Sequence, residues 1–506
     1  MLPKHSILKT ACVSIGIILA GTSVQAEETA ETLYQEHCAA CHGADRLGQI
    51  GPALLPQNLK RLRPKKAIKV IAKGRIATQM PAFEETLTES QIGLLTDYIY
   101  TKLDYTPSWG EDKIEATRNL AAEVDRWIKK PMYKADPLNL FVVVESGDHH
   151  VTIMNGDTFE PIYRFESRFA LHGGPKFTPD GRHVFFASRD GWITKFDLYT
   201  LEVLAEVRAG INTRNMAISS DGATLAVANY LPHSLVLLNA EDLTVDKIFD
   251  VKDKAGNSSR VSAVYQARPR KSFIAALKDV PEVWEISTDV AMASTDAGMF
   301  GLRRIETSEP LDDFFFDQPY QHLLGSSRDG KHAGVVNLDT GKTIAGIELP
   351  SLPHMGSGIT FDYDGRRVMA TPHLRDGKIS VIDMKDWKVI KTIETEGPGF
   401  FMRSHENSHY AWAGVFFGPN RDLVHIIDKR TLEIVKTLKP VPGKTAAHVE
   451  FDRSGKHAVL SIWDMDGAII IYDAETFEEV KRIKMVKPAG KYNVHNKITF
   501  SEGTSH

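Results

Sequence analysis

The sequence predicts a small all-α domain followed by an all-β domain that forms an eight-bladed propeller. Near the N-terminus, residues 31–40 and 88–103 have the composition of two helices. From residue 137 onward, short β-rich runs alternate with Asp-Gly turns, and one pattern of turn and strands returns eight times. Because no long amphipathic helix interrupts these repeats, a parallel α/β fold is excluded.

The composition is that of an ordinary globular protein. The 506 residues are 42% hydrophobic and 25% charged, and the formal net charge is −4. This apolar content is too high for a disordered chain. Since the chain has no excess of positive charge, nucleic acids and acidic membranes are not expected as partners.

The first residues predict export to the periplasm. Lys4 and Lys9 precede a short apolar run over residues 11–20, and Val24 and Ala26 provide a small-x-small cleavage pattern. The alternative, a membrane anchor, would need about 20 apolar residues. We therefore expect residues 1–26 to be a signal peptide cleaved after Ala26, with no stable membrane insertion of the mature protein.

A second motif predicts covalent haem. Cys38, Cys41 and His42 form a Cys-Ala-Ala-Cys-His sequence, the spacing of c-type haem attachment. A thioredoxin-like redox pair does not need the histidine, and a zinc site would need further cysteine ligands that the exported chain lacks. The cysteines are therefore expected to bind one haem c, with His42 as an axial ligand of its iron.

Met80 is expected to be the sixth ligand of this iron. It precedes Pro81, which favours an extended loop, and His/Met ligation raises the reduction potential of a haem. The alternative is a methionine that fills a gap in the core. Residues 27–107 are thus predicted to be a cytochrome c domain, and residues 108–136 a partly helical linker.

The region over residues 137–506 contains eight copies of one strand pattern. Regular copies begin at Asp180, Asp221, Asp329, Asp364 and Ser454, and less regular copies begin near Leu140, Arg270 and Asn407. Eight copies in 370 residues correspond to about 46 residues each, a period typical of a β-propeller. Eight blades leave a central channel that is wide enough for a large flat ligand.

Several polar residues fall where a propeller places side chains at its channel. The histidines and the tyrosine of this kind are His172, His354, His448 and Tyr492. The cations are Lys176, Arg189, Arg214 and Lys278. Each of them could equally be a residue of a surface loop. Together they suit a macrocycle with several carboxylates whose iron accepts one imidazole.

The order of these parts resembles that of the periplasmic cytochrome cd1 nitrite reductases, over about residues 38–496. Matching local segments include residues 145–149, Tyr230 with Pro232, Trp463 and residues 490–494. The resemblance implies that haem d1 lies in the propeller channel with His172 as the proximal iron ligand. It also implies that Arg189, Arg214 and Tyr230 hold carboxylate and oxo groups of this haem.

One position departs from the reductase pattern. The reductases place two histidines over the distal face of haem d1, where they protonate bound nitrite. His354 matches one of them, but Asp312 stands where the other is expected. A carboxylate cannot donate a proton near pH 7 as an imidazolium can, and it repels an anionic substrate. Nitrite reduction is therefore expected to be slow.

Residues 147–152 and 169–175 resemble the dihydro-haem d1 dehydrogenases, paralogues that accompany these reductases. This resemblance implies the last step of haem d1 biosynthesis, in which a propionate of the bound tetrapyrrole is desaturated to an acrylate. Electrons would leave through the haem c. In this interpretation His354 is the general base, and His448 and Tyr492 orient the propionate and move protons.

Two other functions stay open from the sequence. One is a nitrite reductase that tolerates Asp312, and the other is a carrier that binds haem d1 without chemistry. A carrier needs no covalent haem, so the motif at residues 38–42 argues against it as the only role. Besides the tetrapyrrole, the expected partners are nitrite reductase and other haem d1 assembly proteins in transient contact, and a periplasmic electron acceptor.

Overall fold

The computed structural model of the chain describes residues 29–75, 78–121, 128–172, 174–289, 299–327, 330 and 332–500. These residues form a small helical domain and a ring of eight four-stranded sheets, so the predicted fold class is confirmed. The predicted signal peptide and the turn residue Asp329 lie outside the described residues. No helix among the described residues is long and apolar enough to cross a membrane.

Seven short α-helices are present among the described residues. They are α1 (Ala30–His37), α2 (Ala39–His42), α3 (Pro56–Leu59), α4 (Pro64–Lys73), α5 (Glu89–Tyr100), α6 (Glu111–Glu115) and α7 (Val494–Thr499). The side chains of Thr29 and Thr88 cap α1 and α5, and Gln91 completes a capping box with Thr88. Leu33 and Tyr34 of α1 pack against Leu95 of α5 in the core of the helical domain.

The first four blades each run from an innermost strand at the channel to an outermost strand at the rim, and their strands follow in that order. Blade 1 contains Pro488–Asn493, Leu140–Glu145, His150–Asn155 and Pro161–Glu166. Blade 2 contains Lys176–Phe177, His183–Ala187, Trp192–Asp197 and Glu202–Arg208, and Asn119–Leu120 adds a fifth strand to its outer edge. Blade 3 contains Asn212–Ile218, Thr224–Leu231, Ser234–Asn239 and Val245–Asp250. Blade 4 contains Val261–Ala267, Ser272–Leu277, Glu282–Ser287 and Leu302–Glu306.

The other four blades follow in chain order. Blade 5 contains Leu311–Phe316, His322–Ser327, His332–Asn337 and Lys342–Glu348. Blade 6 contains Ile359–Tyr363, Arg366–Pro372, Lys378–Asp383 and Lys388–Glu394. Blade 7 contains Gly399–Arg403, Tyr410–Val415, Val424–Asp428 and Glu433–Leu438. Blade 8 contains Ala446–Phe451, His457–Ile462, Gly467–Asp473 and Glu479–Met485.

The last strand of the chain closes the ring. Pro488–Asn493 pairs antiparallel with Leu140–Glu145, and Tyr492 lies opposite Val142. Blade 1 therefore takes its innermost strand from the C-terminal end, and α7 follows directly at the base of the channel. The inner strands of neighbouring blades contact one another, so their channel-facing side chains form a continuous wall.

The two domains pack against each other over blades 2 and 3. Leu55 of the helical domain lies in one apolar cluster with Ile211 and Leu231. The buried guanidinium of Arg208 donates to the backbone oxygens of Leu47, at 2.7 Å, and of Gly48, at 3.0 Å. These contacts fix the helical domain against blades 2 and 3.

Candidate functional site

The Cys-Ala-Ala-Cys-His motif lies at the junction of α1 and α2 with its side chains available for haem. Cys38 and Cys41 are free thiols and half-buried. The Nδ1 of His42 donates to the backbone oxygen of Pro52 at 2.8 Å, which leaves Nε2 as the metal-binding nitrogen. Burial lowers the pKa of His42, so the imidazole is neutral. This donor set fits a covalent haem c.

Met80 belongs to the same apolar surface. Its side chain, like those of Cys38, Leu54 and Phe83, packs against the buried core of the helical domain. Its backbone oxygen accepts a hydrogen bond from the amide of Arg75 at 3.1 Å, which holds the loop against the end of α4. The assignment of Met80 as the sixth ligand of the haem c iron stays a prediction.

His172 precedes the inner strand of blade 2, and both of its ring nitrogens form hydrogen bonds. Its Nδ1 donates to the backbone oxygen of Arg214 at 2.9 Å. Its Nε2 lies 2.6 Å from Nη2 of Arg189, which donates to it. Burial, followed by the charges of Arg189 and Arg214, lowers the pKa of His172 well below its ordinary value. The imidazole is thus neutral, with its lone pair on Nε2, the form that binds iron.

Arg189 and Arg214 form a cationic cluster beside His172, together with Tyr230. Burial first, and then the charges of Arg61 and Arg214, lower the pKa of Arg189 to about 9. The buried Nε of Arg189 has no hydrogen-bond partner within the described part of the chain. An anionic ligand would satisfy both the charge and this donor.

The predicted cation Lys278 reaches the same cluster but is already paired. Its Nζ lies 5.7 Å from the centre of the Tyr230 ring and forms an ion pair with Asp312. The negative charge of Asp312 is therefore partly neutralised. The neighbouring Asp313 is the buried carboxylate, since it accepts hydrogen bonds from the Tyr265 hydroxyl at 3.0 Å and the Gly356 amide at 2.8 Å.

His354 lies directly before the short 3-10 helix Met355–Ser357, at the start of blade 6. Its Nδ1 is 2.7 Å from the backbone oxygen of Phe400 and 2.7 Å from the Ser357 hydroxyl. Nδ1 therefore carries the proton, and Nε2 keeps its lone pair. Burial lowers the pKa of His354, while the negative charge of Asp313 raises it. The imidazole is neutral at pH 7.

His448 and Tyr492 meet on the inner strands of blades 8 and 1. His448 is the extra residue of a bulge opposite Ser461, with a left-handed φ of 54°, and its ring centre lies 5.1 Å from that of Tyr492. Bulges redirect side chains in this way. Burial, followed by the charge of Lys491, lowers the pKa of His448 well below its ordinary value, and burial raises the pKa of Tyr492 to about 12.

The loop of His172 also contacts Tyr492. Gly174 has a φ of +71°, and a Cβ placed there would lie 3.2 Å from Cε1 of Tyr492. Phe401 contacts both His354 and His448. Its ring centre lies 6.3 Å from that of His354 and 4.9 Å from that of His448. The predicted residues His172, His354, His448 and Tyr492 therefore lie at the inner segments of blades 2, 6, 8 and 1, around the channel, and contacts through Gly174 and Phe401 connect them.

Lys176, one of the predicted channel cations, lies on the inner strand of blade 2 in a group of cations, the cationic floor, whose other members Arg403 and Lys497 were not predicted. Burial and the charge of Arg403 lower the pKa of Lys176 to about 8. Lys497 of α7 borders a cavity of about 50 Å³ with Lys176, and its Nζ lies 5.6 Å from the Tyr492 ring. Glu450 is the carboxylate among these cations, at 3.8 Å from Nε of Arg403. Burial lowers the pKa of Lys491 and of Lys497 well below the ordinary value, so a bound carboxylate would favour their charged forms.

Residues 135–497 match the family described as cytochrome D1 heme domain, and residues 25–99 match the family described as cytochrome C oxidase, cbb3-type, subunit III. The first match covers most of the chain. The chain belongs to the cytochrome D1 heme domain family. This membership confirms the family resemblance predicted from the sequence. The interpretation of the channel as a haem d1 site depends on that resemblance.

Two known proteins and one solved structure are similar to this chain over nearly its full length. The dihydro-heme d1 dehydrogenase of Pseudomonas aeruginosa is 52% identical over 494 residues, which are 98% of this chain and 99% of that protein. A nitrite reductase of Stutzerimonas stutzeri is 26% identical over 94% of this chain and 93% of its own. A solved structure, dihydro-heme d1 dehydrogenase NirN in complex with DHE, is 53% identical with a TM-score of 0.89, covering 93% of this chain and 99% of that one.

Proposed function

We propose that the protein is a dihydro-haem d1 dehydrogenase, which binds its tetrapyrrole in the propeller channel and desaturates one propionate to an acrylate. The observation that carries the proposal is the neutral His172, whose Nε2 faces a cation-lined channel shared with His354, His448 and Tyr492. The name of the relative that is 52% identical along almost the whole chain supports it.

The reaction defines what the chain must provide. Converting –CH2–CH2– to –CH=CH– beside a carboxylate removes two protons and two electrons. The chain needs a base for the proton next to the carboxylate, cations that hold the substrate, and a route for the electrons. Haem c, bound at Cys38, Cys41 and His42, supplies one-electron transfer to an external acceptor.

His354 is the proposed general base. Its Nδ1 is held by the Phe400 oxygen, so the lone pair of Nε2 is free to accept a proton. Its lowered pKa keeps it neutral at pH 7 before the reaction. Phe400 packs against its ring, with centres 4.1 Å apart, and restricts its orientation.

His448 and Tyr492 are proposed to orient the propionate and to move protons. Tyr492 stays protonated because burial raises its pKa to about 12, so its hydroxyl can donate to a carboxylate oxygen. The buried Nδ1 of His448 has no hydrogen-bond partner among the described residues and can exchange a proton with a bound substrate. Both lie near the cationic floor, where a carboxylate is favoured.

The cations of the site are proposed to bind the carboxylates of the tetrapyrrole other than the reacting propionate. Arg189 and Arg214 lie beside His172 and suit groups at one edge of the macrocycle. Lys278 with Tyr230 would hold a further group, and Lys176, which borders a cavity with Lys497, would hold another. Charge-assisted hydrogen bonds to several carboxylates would fix the ring in one orientation over His172.

The proposed place of this reaction is the periplasm. The N-terminal pattern of residues 1–26 predicts export, and covalent haem c suits a protein that acts after export. Nitrite reductase and other haem d1 assembly proteins are proposed as transient partners that receive the product. A periplasmic electron acceptor is proposed to oxidise the haem c domain.

The proposal is tested by supplying dihydro-haem d1 to the purified haem c-loaded protein. Absorption and mass spectrometry would detect the acrylate product, which has two hydrogen atoms fewer. The same assay is run with His354→Ala and with His409→Ala, an exposed histidine in blade 7, as the matched control. Conversion by the wild type and by His409→Ala is expected.

Three results would contradict parts of this proposal. Binding without conversion would leave a carrier function. Rapid nitric oxide formation from nitrite, without acrylate formation, would indicate a nitrite reductase. Unchanged turnover in His354→Ala would remove His354 as the base while leaving the dehydrogenase activity in place.

A further inference from the structure

The helical domain contacts blade 3 of the propeller through α3. Asn58 donates from its side chain to the backbone oxygen of Ile211 at 2.9 Å. Asn212 donates in return to the backbone oxygen of Gln57 at 3.4 Å. Asn212 begins the inner strand of blade 3, which also carries Arg214 two residues later. The end of α3 is therefore docked on the strand that supports the cationic cluster.

Arg61, two residues after α3, faces this cluster from the helical domain. Its guanidinium lies within electrostatic range of Arg214 and Tyr230. The positive charge of Arg61 also acts on Arg189, where it lowers the pKa of the guanidinium. The Arg61 side chain remains solvent-accessible, and within the described residues it forms no hydrogen bond or ion pair. It is thus a cation held beside the cationic cluster by the docking of its domain.

The three guanidiniums are mutually repulsive without an anion between them. Burial, and then the charge of Arg214, lower the pKa of Arg61, as expected for a cation placed beside other cations. Asp313 is the carboxylate within range of Arg214, but it is hydrogen-bonded to Tyr265 and Gly356. The charge of Asp313 raises the pKa of Arg214, whereas no carboxylate among the described residues pairs with Arg61, so the Arg61 guanidinium is available to a carboxylate of a bound ligand.

We propose that Arg61 binds a carboxylate of the tetrapyrrole, so that substrate binding and docking of the cytochrome c domain on the propeller stabilise each other. The inference rests on the proposed function, since that function brings a ligand with several carboxylates to Arg189 and Arg214. Because coupling between two equilibria is reciprocal, substrate tightens the docked domain as much as the docked domain tightens substrate binding. Electron transfer to haem c would then be favoured when substrate is present.

The test compares the haem c-loaded wild type with Arg61→Gln, Arg61→Lys and the control Arg63→Gln. Arg63 is exposed on the same segment, and its side chain makes no capping hydrogen bond to α4. Titration with dihydro-haem d1 measures affinity. Amide hydrogen exchange at residues 55–59 and 211–212, with and without the tetrapyrrole, measures docking of the two domains.

In the wild type and Arg63→Gln, bound tetrapyrrole is expected to slow exchange at both segments. Arg61→Gln is expected to bind about tenfold more weakly, the loss of one charge-assisted hydrogen bond, and to show no added protection. Arg61→Lys, which keeps the charge, is expected to fall between them. An unchanged haem c spectrum of each variant verifies the fold of the helical domain.

Two results would overturn the inference. One is wild-type affinity and wild-type protection in Arg61→Gln. The other, which requires no variant, is a wild type that binds tetrapyrrole without any slowing of exchange at residues 55–59. Failure of the proposed function gives a different result, because the wild type itself would then bind no tetrapyrrole or bind it without forming acrylate.

Discussion

The Nδ1 atom of His172 lies 2.9 Å from the backbone oxygen of Arg214, so one hydrogen bond joins the proposed iron ligand to the strand that carries the cationic cluster. This contact fixes the tautomer of the imidazole and turns Nε2 toward the side chain of Arg189. A ligand whose iron binds Nε2 would displace Arg189, whose guanidinium could then meet a carboxylate at the edge of the ring. Ligation and carboxylate recognition are therefore linked in one element.

Replacement of His172 should weaken tetrapyrrole binding and change the electronic spectrum of the bound ligand. In His172→Ala the iron loses its proximal imidazole, while the cations and the channel wall remain. We expect affinity to fall at least about tenfold in an absorption titration, with His409→Ala unchanged. A variant with the same affinity and the same bound spectrum would show that another residue ligates the iron.

Tyr492→Phe should slow desaturation more than it weakens binding. The variant keeps the ring that packs against His448 and removes the hydroxyl that would contact the propionate. A loss of about 100-fold in turnover is expected from removing a group that positions or transfers a proton. Single-turnover rates and the dissociation constant separate the two effects. An equal loss in affinity with unchanged turnover would make Tyr492 a binding residue only.

The turnover rate should depend on pH through His354. A general base acts in its neutral form, and burial lowers the pKa of His354 below its ordinary value of 6.5. The rate is therefore expected to stay constant as the pH falls to about 6.5 and to decrease only below it. In His354→Gln the remaining activity should lack this decrease. A wild-type rate that already falls between about pH 8 and pH 7 would contradict this assignment.

Met80→Ala should lower the reduction potential of haem c and keep the covalent attachment. The thioether is the ligand type that raises the potential of a haem with one axial histidine, and Cys38, Cys41 and His42 are unaffected. A redox titration of the purified variant measures the change. An unchanged potential and an unchanged spectrum would mean that Met80 only fills the core around Phe83.

Glu450→Gln should destabilise the propeller. Glu450 is fully buried, and it accepts hydrogen bonds from the Phe451 amide at 3.0 Å and the Asn496 side chain at 3.2 Å. Removing its charge leaves Arg403 and Lys491 without their buried counter-ion, at a cost of about 3 kcal/mol. Denaturant unfolding measures the loss. Glu479→Gln, which breaks an exposed pair with Arg482, is the control and should have little effect.

The sequence was sufficient for the features that depend on local pattern. The spacing of Cys38, Cys41 and His42 predicts haem attachment because two thiols and an imidazole must reach one ring. The eight repeats predict the blades because each repeat contains its own turn and strands. The turn glycines confirm this directly, for example Gly181 and Gly222, with φ of +74° and +77°.

Features that join distant parts of the chain were not predictable in this way. Pairing of Pro488–Asn493 with the first blade brings α7 and Lys497 to the channel floor. Docking of α3 brings Arg61 to the channel mouth. The sequence around Lys497 and around Arg61 does not predict these positions, because the surrounding residues have the charges of an ordinary exposed segment.

For a different reason, the sequence could not predict which of two adjacent carboxylates in blade 5, Asp312 or Asp313, is buried. A register shift between Leu311 and Asp313 makes Asp312 the extra residue of a bulge. The bulge changes which of two adjacent carboxylates faces inward, so Asp313 is buried while Asp312 pairs with Lys278. A comparison of sequence motifs could place Asp312 at the site, but it could not show that Asp313 is the buried carboxylate.

The most direct test of the central claim is a single-turnover experiment with oxidised, haem c-loaded protein and one equivalent of dihydro-haem d1. Mass spectrometry follows the loss of two hydrogen atoms from the tetrapyrrole, while absorption follows reduction of haem c in the same sample. Desaturation releases two electrons and haem c can take up one, so we expect one haem c to be reduced for each acrylate formed, with the second electron left on the tetrapyrrole iron, which is supplied oxidised. Tetrapyrrole that binds but keeps both hydrogen atoms while haem c stays oxidised would contradict the claim.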